Sequence, residues 1–142
     1  MLKGIDPLLG PDLLRWLAEM GHGDVLCIAD RNFPSYGRGQ ERVWQMNGVG
    51  APQALAAVLT LFPVDTFVPE PLAHMLTDDG TDGPALADVR RVVDEAEGRE
   101  VGARGVERVP HFYDEAARAY CTIRTSEVRP YSCYLLTKGT VA

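Results

Sequence analysis

Apolar residues recur along this chain with two different periods, and the switches between them outline the elements. Leu13, Leu14, Leu17 and Met20 fall at helical spacing, with Pro11 and Asp12 suited to a first turn and Gly21 suited to the stop. Val25-Leu26-Cys27-Ile28-Ala29 is a continuous apolar run rich in branched residues, and it reads as a buried strand. A loop containing Gly, Pro and Ser over residues 32–40 leads to a second strand expected around residues 42–46. Pro52 opens a second helix with Leu55, Val58, Leu59 and Phe62 on one face. Asp65-Thr66-Phe67-Val68-Pro69 predicts a short strand ended by its proline. Residues 77–84 form an exposed turn ahead of a third helix over 84–97, which points Leu86, Val89 and Val93 inward. A strand over 105–109, a short helix over 113–119 and strands over 121–125 and 134–136 complete the series.

Helices and strands thus alternate, which predicts an α/β fold with a mostly parallel central sheet covered on both faces. No repeat, low-complexity segment or linker divides the chain, so residues 1–142 are expected to form a single domain. A hydrophobic fraction of 46% and a charged fraction of 24% fit an ordinary globular protein. The formal net charge of −6 leaves no basic excess for nucleic acid or an anionic membrane surface. The uncharged stretch 43–64 is interrupted by Gln45, Asn47, Gly48, Gly50, Pro52 and Gln53, which makes it poor material for a span. No secretory signal is visible, and Cys27, Cys121 and Cys133 lack metal-ligand spacing. Buried thiols in a cytoplasmic protein are the expectation.

The candidate chemistry centres on the first strand. His22 sits in a glycine-flanked turn before it, and Asp30 stands where it ends. Open α/β sheets bind ligands at the carboxyl ends of their strands, which is where Asp30 lies. His22 is at the other end, roughly 17–20 Å away in one chain. A shared site therefore predicts that a neighbouring subunit brings the two together. Each residue also has a plainer reading: His22 as a structural histidine, Asp24 as a turn cap, Asp30 as an acceptor for loop amides, and Arg31-Asn32 as solvated loop. Gly37-Arg38-Gly39 lacks the lysine and serine of a phosphate loop. His74, on a segment read as helix or loop, is expected at the surface or as a satisfied core residue. His111 has no ligand-spaced partner, and Phe112, Tyr113 and Tyr120 read as core. Pro130 stiffens a turn that displays Tyr131, whose phenol can serve either as packing or as a partner for a sugar hydroxyl.

Taken together, these residues resemble the D-ribose pyranase / L-fucose mutarotase family, and more closely its fucose branch. The resemblance is carried by Met1-Leu2-Lys3-Gly4-Ile5, Leu13-Leu14, the run Leu17-Ala18-Glu19-Met20-Gly21-His22-Gly23-Asp24, Asp30 with Phe33-Pro34, Phe112-Tyr113, Glu127, Tyr131, Leu135-Leu136 and Lys138-Gly139. It implies a three-layer α/β/α protein that forms rings, commonly a homodecamer of two pentamers with sites between subunits. It also implies interconversion of the cyclic forms of a free monosaccharide, L-fucose above all, with no metal or organic cofactor. His22 matches the family's catalytic histidine, Asp30 its sugar-binding aspartate, and Tyr131 a tyrosine that assists proton movement or binding. Cys133 stands where the family's Tyr-x-Asn segment has asparagine, so a side-chain contact there passes to a weak hydrogen-bonding group. An ungapped alignment from Tyr113 puts Val109 where the fucose branch carries an arginine, and the adjacent Arg108 becomes the candidate hydroxyl anchor. The alternatives are a pyranose–furanose isomerase acting on D-ribose, a non-catalytic sugar-binding protein, and a subunit regulating a sugar transporter or kinase.

Overall fold

A computed structural model describes residues 2–142; Met1, part of the opening match, lies outside them. Six strands form one sheet: β1 (Val25–Ala29), β2 (Val43–Met46), β3 (Leu72–Met75), β4 (Ala103–Val106), β5 (Cys121–Thr125) and β6 (Tyr134–Thr137), in the order β2-β5-β1-β6-β3-β4. The pairs β2·β5, β1·β5 and β3·β4 are parallel, whereas β6 runs antiparallel to both its neighbours, β1 and β3. The sheet is therefore mostly parallel, with one reversed strand inside it. Five strands end, and β6 begins, at the same edge.

Side chains alternate between two cores, as the pleat requires. Leu26 and Ile28 join Cys121, Ile123, Leu72, Tyr134 and Leu136 on the face covered by α1 (Pro11–Glu19), α2 (Ala51–Val58) and α3 (Leu86–Glu97). Cys27, Ala29, Ala73, Cys133 and Leu135 point the other way. They are covered by Phe33, Phe112 and the short helix α4 (Tyr113–Ala117). Small residues dominate this second face, so the layer above it can be thin. Helix α1 buries Leu13, Trp16 and Leu17, an i, i+3, i+4 stripe, and starts with Pro11 at its first turn.

Several local readings need correction. Residues 65–69 are not a strand: Val64 makes one bridge to Lys138, and Phe67 is exposed. The strand in this region is β3, so His74 is a buried strand residue and not part of a helix or loop. Next, β4 stops at Val106, and residues 108–112, kinked at an extended Val109 (φ −127°, ψ 126°), lead into α4, which ends at Ala117. Tyr113 and Tyr120 are only partly buried, unlike Phe112.

Gly102, at the entry to β4, is required by close approach. A Cβ there would lie 1.9 Å from the carbonyl oxygen of Pro69 and 3.3 Å from Cα of Glu70, all backbone atoms on the way into β3. Gly102→Ala is expected to lower stability by about 1–3 kcal/mol, read as a lower urea midpoint.

Candidate functional site

The common strand edge holds a cavity of about 210 Å³. Its walls include Asp30 just after β1, Met75 at the end of β3, Arg108 after β4, and Tyr131 and Cys133 at the entry to β6. The reversal of β6 puts those last two residues there. Asp30 is buried. Its Oδ1 accepts the Asn32 and Phe33 amides at 2.9 and 3.0 Å, and its Oδ2 accepts the Ser132 amide at 3.2 Å. It clasps the exit of β1 to the entry of β6, and one oxygen keeps capacity for a further donor. Cys133 Sγ accepts the Asp30 backbone N–H at 3.5 Å. Burial, with the nearby Asp30 and Cys27, pushes this thiol well up, so it is a packed acceptor with little thiolate. Cys27 and Cys121 are also free and buried, each pushed by desolvation up to about 12.

Tyr131 takes a positive φ of 57°, an uncommon conformation for a side chain of its size. Arg108 lines the cavity, whereas its neighbour Val109 is turned out to solvent. The guanidinium pairs with Asp78 on the loop after β3 and lies 6.0 Å from the Tyr113 ring centre. Arg38 covers the same ring at 4.5 Å. The Arg108 hydrogen bonds are the main reason that the Asp78 carboxyl is held below its ordinary range.

His22 lies at the opposite edge. Its turn is closed by Asp24, whose Oδ2 accepts the Gly21 amide at 2.7 Å, as a turn cap would. The turn is also tied to the end of β6, with Gly23 N–H donating to Lys138 O at 2.9 Å and Lys138 N–H donating to Asp24 O at 2.8 Å. Lys138 Nζ in turn donates to the Leu17 and Met20 carbonyls at 2.7 and 2.5 Å, placing a cation at the negative end of α1. The imidazole is 38% exposed, and its Nε2 contacts Asp65 Oδ1 at 2.9 Å. Desolvation raises the Asp65 carboxyl, but the Phe67 amide and His22 outweigh it, and the carboxyl is held below its ordinary range. An ionised carboxylate can only accept, so the hydrogen bond assigns the proton to Nε2 and leaves Nδ1 free. Phe67 meets the ring edge-on at 4.6 Å.

The structure thus brings Asp30, Arg108, Tyr131 and Cys133 around one cavity and leaves His22 beyond the far end of β1. Five strand residues at about 3.3 Å each separate the two sets. Exposed apolar side chains accompany both ends: Leu61, Phe67, Val68 and Val141 on the His22 side, Tyr36, Val109 and Val128 on the cavity side. Among the described residues, no group of three or more His, Cys, Asp and Glu side chains is placed to hold a metal ion. Nor is any helix among them long and apolar enough to cross a membrane.

A family model described as the RbsD / FucU transport protein family matches residues 3–141. The chain belongs to this family. It is 38% identical to the fucose mutarotase of Bos taurus, across 100% of this chain and 95% of that protein. The crystal structure of FucU from Bifidobacterium longum superposes with a TM-score of 0.91 at 38% identity, covering 99% of this chain and 100% of that one. The fucose mutarotase of Streptococcus pneumoniae in complex with L-fucose gives 0.90 at 31% identity, covering 99% and 100%.

Asp65 and Asp78 were not singled out by the sequence. Each contacts a candidate site residue across a long stretch of chain, 43 residues for His22–Asp65 and 30 for Asp78–Arg108, so no local spacing marks them.

Proposed function

We propose that this chain is a monosaccharide mutarotase acting on L-fucose, with its site completed between neighbouring subunits. The observation that carries the reading is the full-length match, in sequence and in fold, to proteins named fucose mutarotase. Mutarotation delivers a proton to the ring oxygen and removes one from the anomeric hydroxyl. The ring opens to the aldehyde, the C1–C2 bond rotates, and closure gives the other anomer. His22 is the acid/base, with Asp65 fixing its Nε2 proton and stabilising the imidazolium, while Nδ1 works on the sugar. Asp30 and Arg108 hold hydroxyls in the cavity, and Tyr131 positions or relays a proton. Cys133 offers the sugar its backbone and little from its sulfur.

A subunit with its histidine at one edge and its cavity at the other suits head-to-tail contacts, which close into a ring when the rotation from one subunit to the next divides a full turn. The apolar residues at both edges suit that contact. Two pentameric rings forming a homodecamer is the arrangement the family resemblance implies. The cytoplasm is the compartment we assign, in keeping with three unpaired thiols.

Two-dimensional exchange NMR tests the reaction: L-fucose anomer exchange is expected to accelerate, and faster pyranose–furanose exchange of D-ribose instead would overturn the choice of sugar. Subunit mixing tests the shared site. His22→Ala and Asp30→Ala proteins, each inactive, are expected to regain about a quarter of the sites when unfolded and reassembled together in equal amounts. No recovery, from a mixture shown by native mass spectrometry to be co-assembled, would place both residues' work within one subunit.

A further inference from the structure

Arg108 does not stand free at the cavity edge. Its Nε donates to Asp78 Oδ1 at 2.8 Å and a terminal nitrogen to Oδ2 at 3.3 Å, two roughly parallel bonds along one edge of the guanidinium. The opposite edge carries the donors left for a ligand. The register Met75↔Val106 puts the ends of β3 and β4 side by side, so Asp78 and Arg108 leave the sheet as neighbours. The loop that presents Asp78 is closed on itself: Thr77 N–H donates to Thr81 O and Gly80 N–H to Thr77 O, both at 2.9 Å, and Leu76 bridges to Asp82. Behind the Arg108 bonds, the Tyr131 hydroxyl also helps to hold the Asp78 carboxyl below its ordinary range. Arg108 also borders an outer groove of about 530 Å³, so an untethered guanidinium would have a second place to go.

Charge makes the pairing informative. A site for an acidic sugar or a sugar phosphate would keep an arginine open to the ligand's negative charge. Here Asp78, on the outer groove, already supplies that charge to Arg108, and Asp30 adds a carboxylate in the cavity itself. A neutral sugar loses nothing by this; an anionic one meets repulsion.

We infer that Asp78 is a positioning and specificity-determining residue: its carboxylate fixes Arg108 across the cavity mouth and cancels its charge, restricting the site to uncharged sugars. The inference rests on the sugar-isomerase reading of this cavity, and a binding measurement separates the two. Dissociation constants for L-fucose and for the neutral/anionic pair D-galactose and D-galacturonate would be measured for the wild type, Asp78→Asn and the Asp78→Asn/Arg108→Ala double variant, alongside L-fucose exchange. Asp78→Asn is expected to weaken L-fucose about tenfold and to shift the galacturonate-to-galactose preference about tenfold toward the acid. Removing Arg108 as well is expected to abolish that shift, an outcome that mere loosening of the loop would not give. An unchanged preference in Asp78→Asn, or a shift that survives in the double variant, overturns the inference. A wild type that shows the charge preference yet leaves L-fucose exchange unaccelerated overturns the isomerase reading and leaves the role of Asp78 standing.

Discussion

Replacing His22 by alanine is expected to slow catalysed L-fucose anomer exchange by about 10²–10⁴-fold, the usual contribution of a general acid/base group. The fold should survive, because the side chain is 38% exposed and contributes one hydrogen bond, to Asp65. Asp65→Asn is expected to give a smaller loss. An asparagine can turn its amide N–H toward Nε2, which moves the ring proton to Nδ1 and presents the wrong nitrogen state to the sugar. Exchange NMR at equal protein concentration, with oligomer mass checked in parallel, reads both effects. Unchanged exchange in His22→Ala would remove the imidazole from the mechanism.

The second large effect concerns stability. Glu127, whose side chain is 4% exposed, spends both oxygens on buried contacts. Oε1 accepts the Arg129 amide and Nε at 3.1 and 2.9 Å, and Oε2 accepts Arg129 Nη2 and the Ala51 amide at the start of α2, both at 3.1 Å. Arg129 continues to Asp88 of α3 at 2.8 Å, so one carboxylate ties two helices to the entry of β6. The Arg129 hydrogen bonds, outweighing the desolvation cost, lower the Glu127 carboxyl from 4.5 to about 2. Its folded-state pKa lies below the unfolded one. The stabilisation is therefore complete above about pH 4.5 and is lost as pH falls through that range toward 2. A depression of that size corresponds to about 3 kcal/mol at neutral pH. Glu127→Gln is accordingly expected to lower the unfolding free energy by about 3 kcal/mol at pH 7, with the gap to the wild type closing between pH 5 and 2. A gap independent of pH would mean that the charge is not what stabilises this corner.

How far the sequence spoke for itself depended on the range over which each signal acts. The first, fifth and sixth strands and the helices starting at Pro11 and near Leu86 were legible because a buried face leaves its period in neighbouring residues. Leu72-Ala73-His74-Met75 was misread because a histidine in a strand buried on both faces breaks the apolar run. Phe67 and Val68 suggested a strand by composition, yet both are exposed at the rim around His22. The direction of β6 was readable in principle: residues 126–133 are too few for the crossover of a dozen or more residues that a parallel return needs. In the cavity, Asp30 and Tyr131 were legible through position and resemblance, and Arg108 through resemblance alone. The carboxylates that serve Arg108 and His22 were not, since their contacts exist only once distant strands lie side by side.

The turned strand has one last effect on the architecture. Its entry carries the Tyr131 wall of the cavity and its exit clamps the turn of His22, so four residues set the distance between the cavity and that histidine. A slip of one residue would turn Tyr134 and Leu136 out of one core and Cys133 and Leu135 out of the other. The spacing is thus locked by the same packing that holds the sheet, and neither the cavity nor the His22 turn can drift without the molecule coming apart.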